Sequence, residues 1–485
     1  MSSPRISFSS ILGDLRRPQI ATEYNADQAV QTLPTLGNKV LIIGQKTSSG
    51  IANDSTSQQI FSSADANLYA GNGSIVALTA KAALSANPDL DLSIVTLSDA
   101  GGSADATGSF AFDGDSTTAG NIDLWVGNMN FNVAVTALDS SSTIATNVQT
   151  AIAAKEHLLP VTSTVAAGTV TLVARNKGVL GNNIPLATKQ NEMSTAGVTI
   201  TTTQPTGGSG AVDISNALLG VFPGDFNIII CPNNDDTNLG LLKTHIDSVS
   251  GPTEGRPCIG VFGNTVNDTG TIQDQCGTTL NSERLTCGFL PYVKTTEHGH
   301  SLDYEVAGAY AAVIASESDP ARPLQTLPLT GIAPSSIEYR MTKTQQESLL
   351  ENGVTPLVPG VGEQVRIVRA ITTYTTNAAG IDDIAYLDLT TIRTLDFVRK
   401  AIETREGLRF PRAKLSTRTP AQVRAQIIDV LLQLESLDIV ERVQKNLPGI
   451  ICERDSQDPN RLNCLIPTDV VNGLVILANR IDLYL

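Results

Sequence analysis

Short, wholly apolar runs alternate with amphipathic stretches along most of this chain, and that rhythm predicts its main architecture. KVLIIGQ (Lys39 to Gln45) reads as a buried strand, helical spacing follows at Ser57 to Tyr69 and Ile75 to Ser85, and DLSIVTL (Asp91 to Leu97) is the next strand. The alternation resumes with helical Asp213 to Phe222, strand FNIIIC (Phe226 to Cys231), helical Thr237 to Val249, strand CIGVFG (Cys258 to Gly263), a further helix and strand LTCGFLPY (Leu285 to Tyr292). Apolar strands separated by helices of about ten or more residues imply an α/β protein with a largely parallel sheet covered on both faces.

Between the two halves, Ser98 to Gly210 follows period two instead, in GSFAFDG, NIDLWVGNMNFNVAVTA and GTVTLVARNKG, with one helix at Ser142 to Ala154. Its composition is rich in Gly, Ala, Ser and Thr, and its four cations face eight acids. The expectation is an inserted, mainly β domain joined through the flexible linkers SDAGGSADATG (Ser98 to Gly108) and TTTQPTGGSG (Thr201 to Gly210), projecting from a core sheet that it leaves intact. Beyond it, small residues in DYEVAGAYAAVIAS (Asp303 to Ser316) suit close helix packing, and Pro320, Pro323 and Pro328 break the pattern. Thr419, Pro420 and Gln422 predict a capping-box start for a helix presenting Val423, Ile427, Val430, Leu431 and Leu434 on one face.

The last quarter departs most from the rest. From Arg393 to Arg424 there are nine cations (Arg393, Arg399, Lys400, Arg405, Arg409, Arg412, Lys414, Arg418, Arg424) and three acids, in a chain of 485 residues whose net charge is −15. Two readings stand, a solvated cationic helix face or a docking surface for an anionic partner. The closing VNGLVILANRIDLYL, read as a strand, puts Val475, Leu477, Ile481, Leu483 and Leu485 on one face, interrupted by Asn479. An apolar strand at a chain end should pair with its own sheet or be added to another subunit's, because an open edge is an aggregation template.

Net acidity argues against a dedicated nucleic-acid binder. No run of about 18 apolar residues and no secretion signal is present, so a soluble protein made in a cytoplasm is expected, with no membrane insertion. The six cysteines contain no CxxC pair, which argues against zinc. Cys452 and Cys464 flank the turn-rich SQDPN and would face each other in a hairpin; they are either two reduced core thiols or a disulfide pair. Cys276 and Cys287 are weaker candidates for cross-links.

Catalytic chemistry finds little support. GQKTSSG (Gly44 to Gly50) lacks the GxxxxGK[ST] order of a phosphate loop. His298 and His300 beside Glu297 read as incidental histidines of an exposed loop, and His157 and His245 are isolated. The paired acids Asp235/Asp236 and Asp382/Asp383 suit caps or solvent contacts. Neither a catalytic constellation nor a cofactor site is expected.

Three segments taken together resemble contractile phage tail sheath proteins of the Mu-like type. They are DPARPLQTLPLTGI (Asp319 to Ile332); YRMTKTQQESLLENGVTPL (Tyr339 to Leu357) running into VRIVRAITTYTTN (Val365 to Asn377); and DLTTIRTLDFVRKAIETREGLRFPRAKL (Asp388 to Leu415) with the closing strand. The opening RISFSSILGDLRRP resembles such a sheath's N-terminal arm. The resemblance implies a non-enzymatic subunit of stacked hexameric rings around a tail tube, contracting to drive the tube through the host envelope. Its partners would be itself, the tube, the baseplate and the tail terminator, in a virion tail assembled in the host cytoplasm. The implied organisation is an arm (1–20), a sheath core (21–97 with 211–375), an outward-facing insertion (98–210), a C-terminal α+β polymerisation domain (376–470) and an exchanged strand (471–485). The basic residues Arg393 to Arg418 would then face the tube. The competing classes are a sheath of an R-type bacteriocin or secretion apparatus, and an α/β enzyme with a β insertion.

Overall fold

The structure, a computed structural model, describes residues 38–190, 197–293 and 298–484. The expected N-terminal arm, Glu297 and Leu485 lie outside them. The chain begins with β1 (Val40–Gln45), β2 (Ser57–Ile60), α1 (Ser63–Ala70), α2 (Ile75–Ala86) and β3 (Leu92–Leu97). All six residues of β1 are buried, which is why its sequence is continuously apolar rather than alternating. The helix expected from Ser57 begins later. Ser57–Ile60 is instead an edge strand antiparallel to β3, where its polar side chains can face water. The Ser62 hydroxyl accepts from Asp65 N at 3.2 Å and so starts α1.

The next segment forms β4 (Thr107–Asp113), β5 (Gly120–Val126), β6 (Met129–Val135), α3 (Ser141–Ala154), β7 (Val161–Ala166), β8 (Thr169–Ala174), β9 (Leu186–Gln190) and β10 (Thr199–Thr206). Its strands make two small antiparallel sheets, in the orders β10-β4-β8-β7 and β6-β5-β9. Phe110, Ile122, Leu124, Phe131, Val148 and Ile152 meet between these sheets and α3, in a core distinct from that of the larger sheet.

The chain then returns through α4 (Ser215–Val221), β11 (Ile228–Ile230), α5 (Asp236–Ser250), β12 (Ile259–Val266), α6 (Thr269–Gln273), β13 (Leu285–Tyr292), α7 (Asp303–Ser316), α8 (Lys343–Glu351), β14 (Thr355–Pro359) and β15 (Val365–Ile367). The eight-stranded sheet has the order β15-β14-β13-β12-β11-β1-β3-β2, with six central parallel strands and an antiparallel strand at each edge. One face is covered by α2 and α7, the other by α4 and α5. The small residues of α7 permit a near approach to α2: a Cβ at Gly308 would lie 2.5 Å from the Thr79 carbonyl oxygen.

The last part comprises α9 (Leu389–Arg409), α10 (Thr419–Glu435), β16 (Val440–Glu441), α11 (Val443–Asn446), β17 (Ile451–Arg454), β18 (Leu462–Leu465) and β19 (Asp469–Val470). Helix α9, about 30 Å long at 1.5 Å per residue, belongs to two cores. Leu389 and Ile392 enter the main core. Phe397, Val398, Ala401 and Ile402 pack instead on the expected apolar face of α10, Val423, Ile427, Val430, Leu431 and Leu434. The capping box expected at Thr419 does not form. The Thr419 hydroxyl donates to the Lys414 carbonyl at 2.7 Å and accepts from Ser416 N at 2.9 Å, so it closes the preceding loop while proline occupies the first turn.

Candidate functional site

The terminal segment leaves the body after β19. Val471–Tyr484 contains no helix or strand and, among the described residues, pairs with no sheet of its own chain. It touches the body at its start, where Gln325 Nε2 donates to the Leu474 carbonyl at 3.0 Å and Gly473 lies against Pro323. Val475 is half-buried there, whereas Leu477, Ile481 and Leu483 are 73%, 94% and 82% exposed. Of the two pairings open to an apolar terminus, union with its own sheet is absent.

Two small sheets lie close by in sequence. β16 and β19 pair antiparallel, and β17 and β18 form a hairpin in which Cys452 stands opposite Cys464. In a two-stranded sheet each strand is an edge, offering one row of backbone donors and acceptors.

The basic block divides by location. Arg393 is buried: its Nη2 donates to the Glu317 carbonyl at 2.9 Å, Nη1 has no partner, and burial lowers its pKa to about 10. As an element of a surface patch it is therefore withdrawn. Arg399 donates to the Ser250 and Gly251 carbonyls and pairs with Glu403, and Arg405 pairs with Asp429 at 2.6 Å. Arg424 donates to the Leu447 and Ile450 carbonyls, both at 2.7 Å. Lys400, half-buried, lines a cavity of about 180 Å³ with Arg256, Arg393 and Asp396. Arg409, Arg412, Lys414 and Arg418 are exposed, at the end of α9 and in the loop before α10. Sequence spacing could not separate these two sets, because apart from Glu403 the partners of the inner set lie on other elements.

The histidine loop is only in part the exposed loop expected, since His298 is exposed and His300 is not. His300 is 1% exposed and stacks on Tyr292 with ring centroids 4.5 Å apart, while His298 meets Trp125 edge-on at 5.7 Å. His300 Nδ1 lies 2.6 Å from the Ser301 carbonyl, an acceptor, so this nitrogen carries the proton in the neutral ring; burial lowers the ring's pKa to about 4. Among the described residues no group of three metal-ligating side chains converges. Lys46 pairs with Asp54 at 2.7 Å, and Asp235 caps α5 by accepting from Asn238 N at 3.0 Å.

Sequence reasoning missed a buried joint between the smaller sheets and the main one. Asp303 at the start of α7 accepts from Thr265 N at 2.9 Å, from the Thr265 hydroxyl and from Asn183 Nδ2 at 3.0 Å. Burial pushes its carboxyl above the usual range and these donors oppose that shift. An acid just ahead of an apolar helix signals only a favourable charge at its N-terminus, so no local pattern announces the distant Asn183.

Comparison with known proteins places this geometry. Residues 207–373 match the phage tail sheath protein central domain, and residues 382–483 match the phage tail sheath C-terminal domain. A Mu-like prophage FluMu tail sheath protein of Haemophilus influenzae is 33% identical over 497 residues, covering 99% of this chain and all of its own length. The chain belongs to the phage tail sheath family. It stands among the tail sheaths of contractile injection systems, in phages or related machines. Two solved structures share the sheath fold at low identity. The sheath tail protein of Desulfitobacterium hafniense aligns with TM-score 0.51 and 13% identity, over 94% of this chain and 97% of its own. A chain of the anti-feeding prophage baseplate in its contracted state aligns with TM-score 0.52 and 12% identity, over 98% of this chain and 99% of its own. The sheath family points to a structural role. No helix among the described residues is long and apolar enough to cross a membrane.

Proposed function

We propose that this protein is the sheath subunit of a phage contractile tail. It polymerises as stacked hexameric rings around the tail tube and contracts to drive the tube through the host envelope. The full-length relation to a Mu-like prophage tail sheath carries this reading. Contraction is supported by fold relatives such as the sheath complex of an extracellular contractile injection system in its contracted state, matched at TM-score 0.50 and 10% identity. That fold is also why a sheath of a bacteriocin-like or secretion-type machine is the second reading. A packaged genome in the purified particle distinguishes the two.

In this reading the terminal strand of one subunit adds to a neighbour's C-terminal sheet, using the open edges of β16–β19 or β17–β18, and the N-terminal arm is exchanged likewise. Main-chain hydrogen bonds supply affinity and the apolar side chains supply register. Such links keep subunits connected while rigid bodies rotate, so contraction needs no chemical fuel if the extended lattice is metastable and the contracted packing lower in energy. The two-core helix α9 suits this role, because it transmits rotation between the main sheet and the C-terminal part. Arg409, Arg412, Lys414 and Arg418 are assigned to the tube-facing surface, residues 98–210 to the outside of the sheath, and the baseplate and tail terminator to its two ends. No nucleic acid, cofactor or catalytic step enters.

The test is negative-stain electron microscopy of the purified chain and of a truncation ending at Val470. Wide striated cylinders from the full chain and folded, non-polymerising particles from the truncation are expected. Long sheaths from the truncated chain would sink the strand-exchange mechanism.

A further inference from the structure

The β17–β18 hairpin holds Cys452 and Cys464 in direct register. Asp455 N donates to the Arg461 carbonyl at 3.0 Å, which makes Asp455 and Arg461 a hydrogen-bonded pair at the turn. Alternation along the ladder then makes Arg454/Leu462 a non-hydrogen-bonded pair, Glu453/Asn463 a hydrogen-bonded one, and Cys452/Cys464 again non-hydrogen-bonded. Pairs of that class have Cα atoms about 4.5 Å apart and side chains leaning together, within the span of roughly 4.4–6.8 Å that a disulfide bridges.

The turn prevents slippage out of this register. The Asp455 carboxylate accepts from Gln457 N at 2.8 Å, Asp458 N at 2.9 Å and Asn463 Nδ2 at 2.8 Å. Access separates this pair from the other cysteines. Cys464 is exposed and Cys452 half-buried, whereas Cys231, Cys258, Cys276 and Cys287 are all buried. Cys276 and Cys287 share a hydrogen bond in the core, but both are 0% exposed and closed to a dissolved oxidant.

We propose that Cys452 and Cys464 are a redox modification site, forming an intrachain cross-strand disulfide when the folded protein meets a small-molecule disulfide such as oxidised glutathione. One protein thiolate attacks a glutathione sulfur, expelling a glutathione thiolate and leaving a mixed disulfide. The second protein thiolate attacks the protein sulfur of that bond and expels the other glutathione thiolate. The protein loses two protons and two electrons, and the oxidant becomes two molecules of glutathione. Partial desolvation by its neighbours, the hydrogen bond with Cys452 and the nearby Glu406 push the Cys464 thiol up to about 12, so exchange is slow near neutrality and accelerates as pH rises. The product locks a hairpin that is also tied to the loop before α10, where Arg454 Nη2 donates to the Leu415 carbonyl at 2.6 Å. If the strand-exchange reading holds, the acceptor edges are thereby fixed before a neighbour's strand arrives; the disulfide itself does not depend on that reading.

The native full chain is incubated with oxidised glutathione, alkylated with N-ethylmaleimide before and after denaturation, and mapped by peptide mass spectrometry. The expected result is a peptide pair joined through Cys452 and Cys464 within one chain, formed faster at higher pH, with the four buried cysteines alkylated only after denaturation. Cys464→Ser should stop at glutathione attached to Cys452. The oxidised protein should melt higher than the reduced one by roughly 5 °C. Native protein in which both thiols still react with maleimide after oxidation overturns the proposal, as does a cross-link that joins either cysteine to another chain.

Discussion

Asn183 reaches Asp303 across the joint between the β-rich segment and the main sheet, donating from Nδ2 to Oδ2 at 3.0 Å. Thr265 holds the other carboxylate oxygen, so one buried acid connects β12, α7 and the loop before β9. Removing one donor to a buried charged group costs about 1–3 kcal/mol. Asn183→Ala is therefore expected to free residues 98–210 from the core before either part unfolds. Limited proteolysis should cut the linkers near residues 100 and 208 faster in the variant while the fragments stay intact. Unchanged cleavage would show that the surrounding contacts hold the joint without this bond.

His300 sets a pH dependence whose sign follows from its burial. Its folded pKa is about 4, below the unfolded value near 6.5. The unfolded chain therefore takes up a proton that the folded chain refuses, and stability is complete above the unfolded value and declines as pH falls toward 4. The limiting loss is on the order of 3 kcal/mol. His245, also lowered to about 4, acts in the same direction, so the comparison must be between wild type and His300→Gln. Urea midpoints should fall less steeply with acidification in the variant. Parallel profiles would mean that the ring titrates alike in both states.

The basic block should separate genetically into two classes. Arg405 is mostly buried and bonded to Asp429 and Gln433, so Arg405→Ala is expected to cost about 2 kcal/mol in chain stability. Exposed Arg412 and Lys414 should tolerate reversal to Glu within roughly 0.5 kcal/mol. That double reversal should instead impair loading on tubes while sparing tube-free polymerisation, as sedimentation with and without purified tubes would reveal. Equal loading by wild type and the reversed variant would remove these residues from the tube contact.

Legibility in the sequence followed the range of the interactions. All the parallel strands but β14 were readable because burial on both faces leaves runs such as VLIIGQ, and β4, β5, β6 and β8 because one buried face leaves alternation; β10 was not, since its TTTQPT, expected as linker, carries almost no apolar side chain and is strand only by pairing with β4. The face of α10 was legible for the same local reason, and so was the register of Cys452 with Cys464, since a short turn fixes it. What escaped depends on distant partners. Nothing near Arg393 foretells that it donates to the Glu317 carbonyl, and nothing near His300 foretells the Tyr292 shelf. The edge strand Ser57–Ile60 was misread because its β partner, β3, lies some thirty residues on and the helix start at Ser62 blurs the period.

The exposed terminus permits a test in which monomer stability and assembly respond oppositely to expectation from burial. Ile481 is 94% exposed and Leu477 73% exposed in the single chain, so Leu477→Asp with Ile481→Asp removes almost no intrachain packing. The melting temperature of the dilute protein should stay within about 1 °C of wild type. Burial of these two side chains against a neighbour would be worth roughly 1.5–3 kcal/mol each, and a charge in that position adds a desolvation cost. Light scattering over a concentration series should therefore show polymerisation shifted upward by at least about tenfold in concentration, or lost. Polymerisation at the wild-type concentration would mean that the apolar terminus stays outside the subunit interface, and the contact that builds the sheath would have to be sought elsewhere on the C-terminal part.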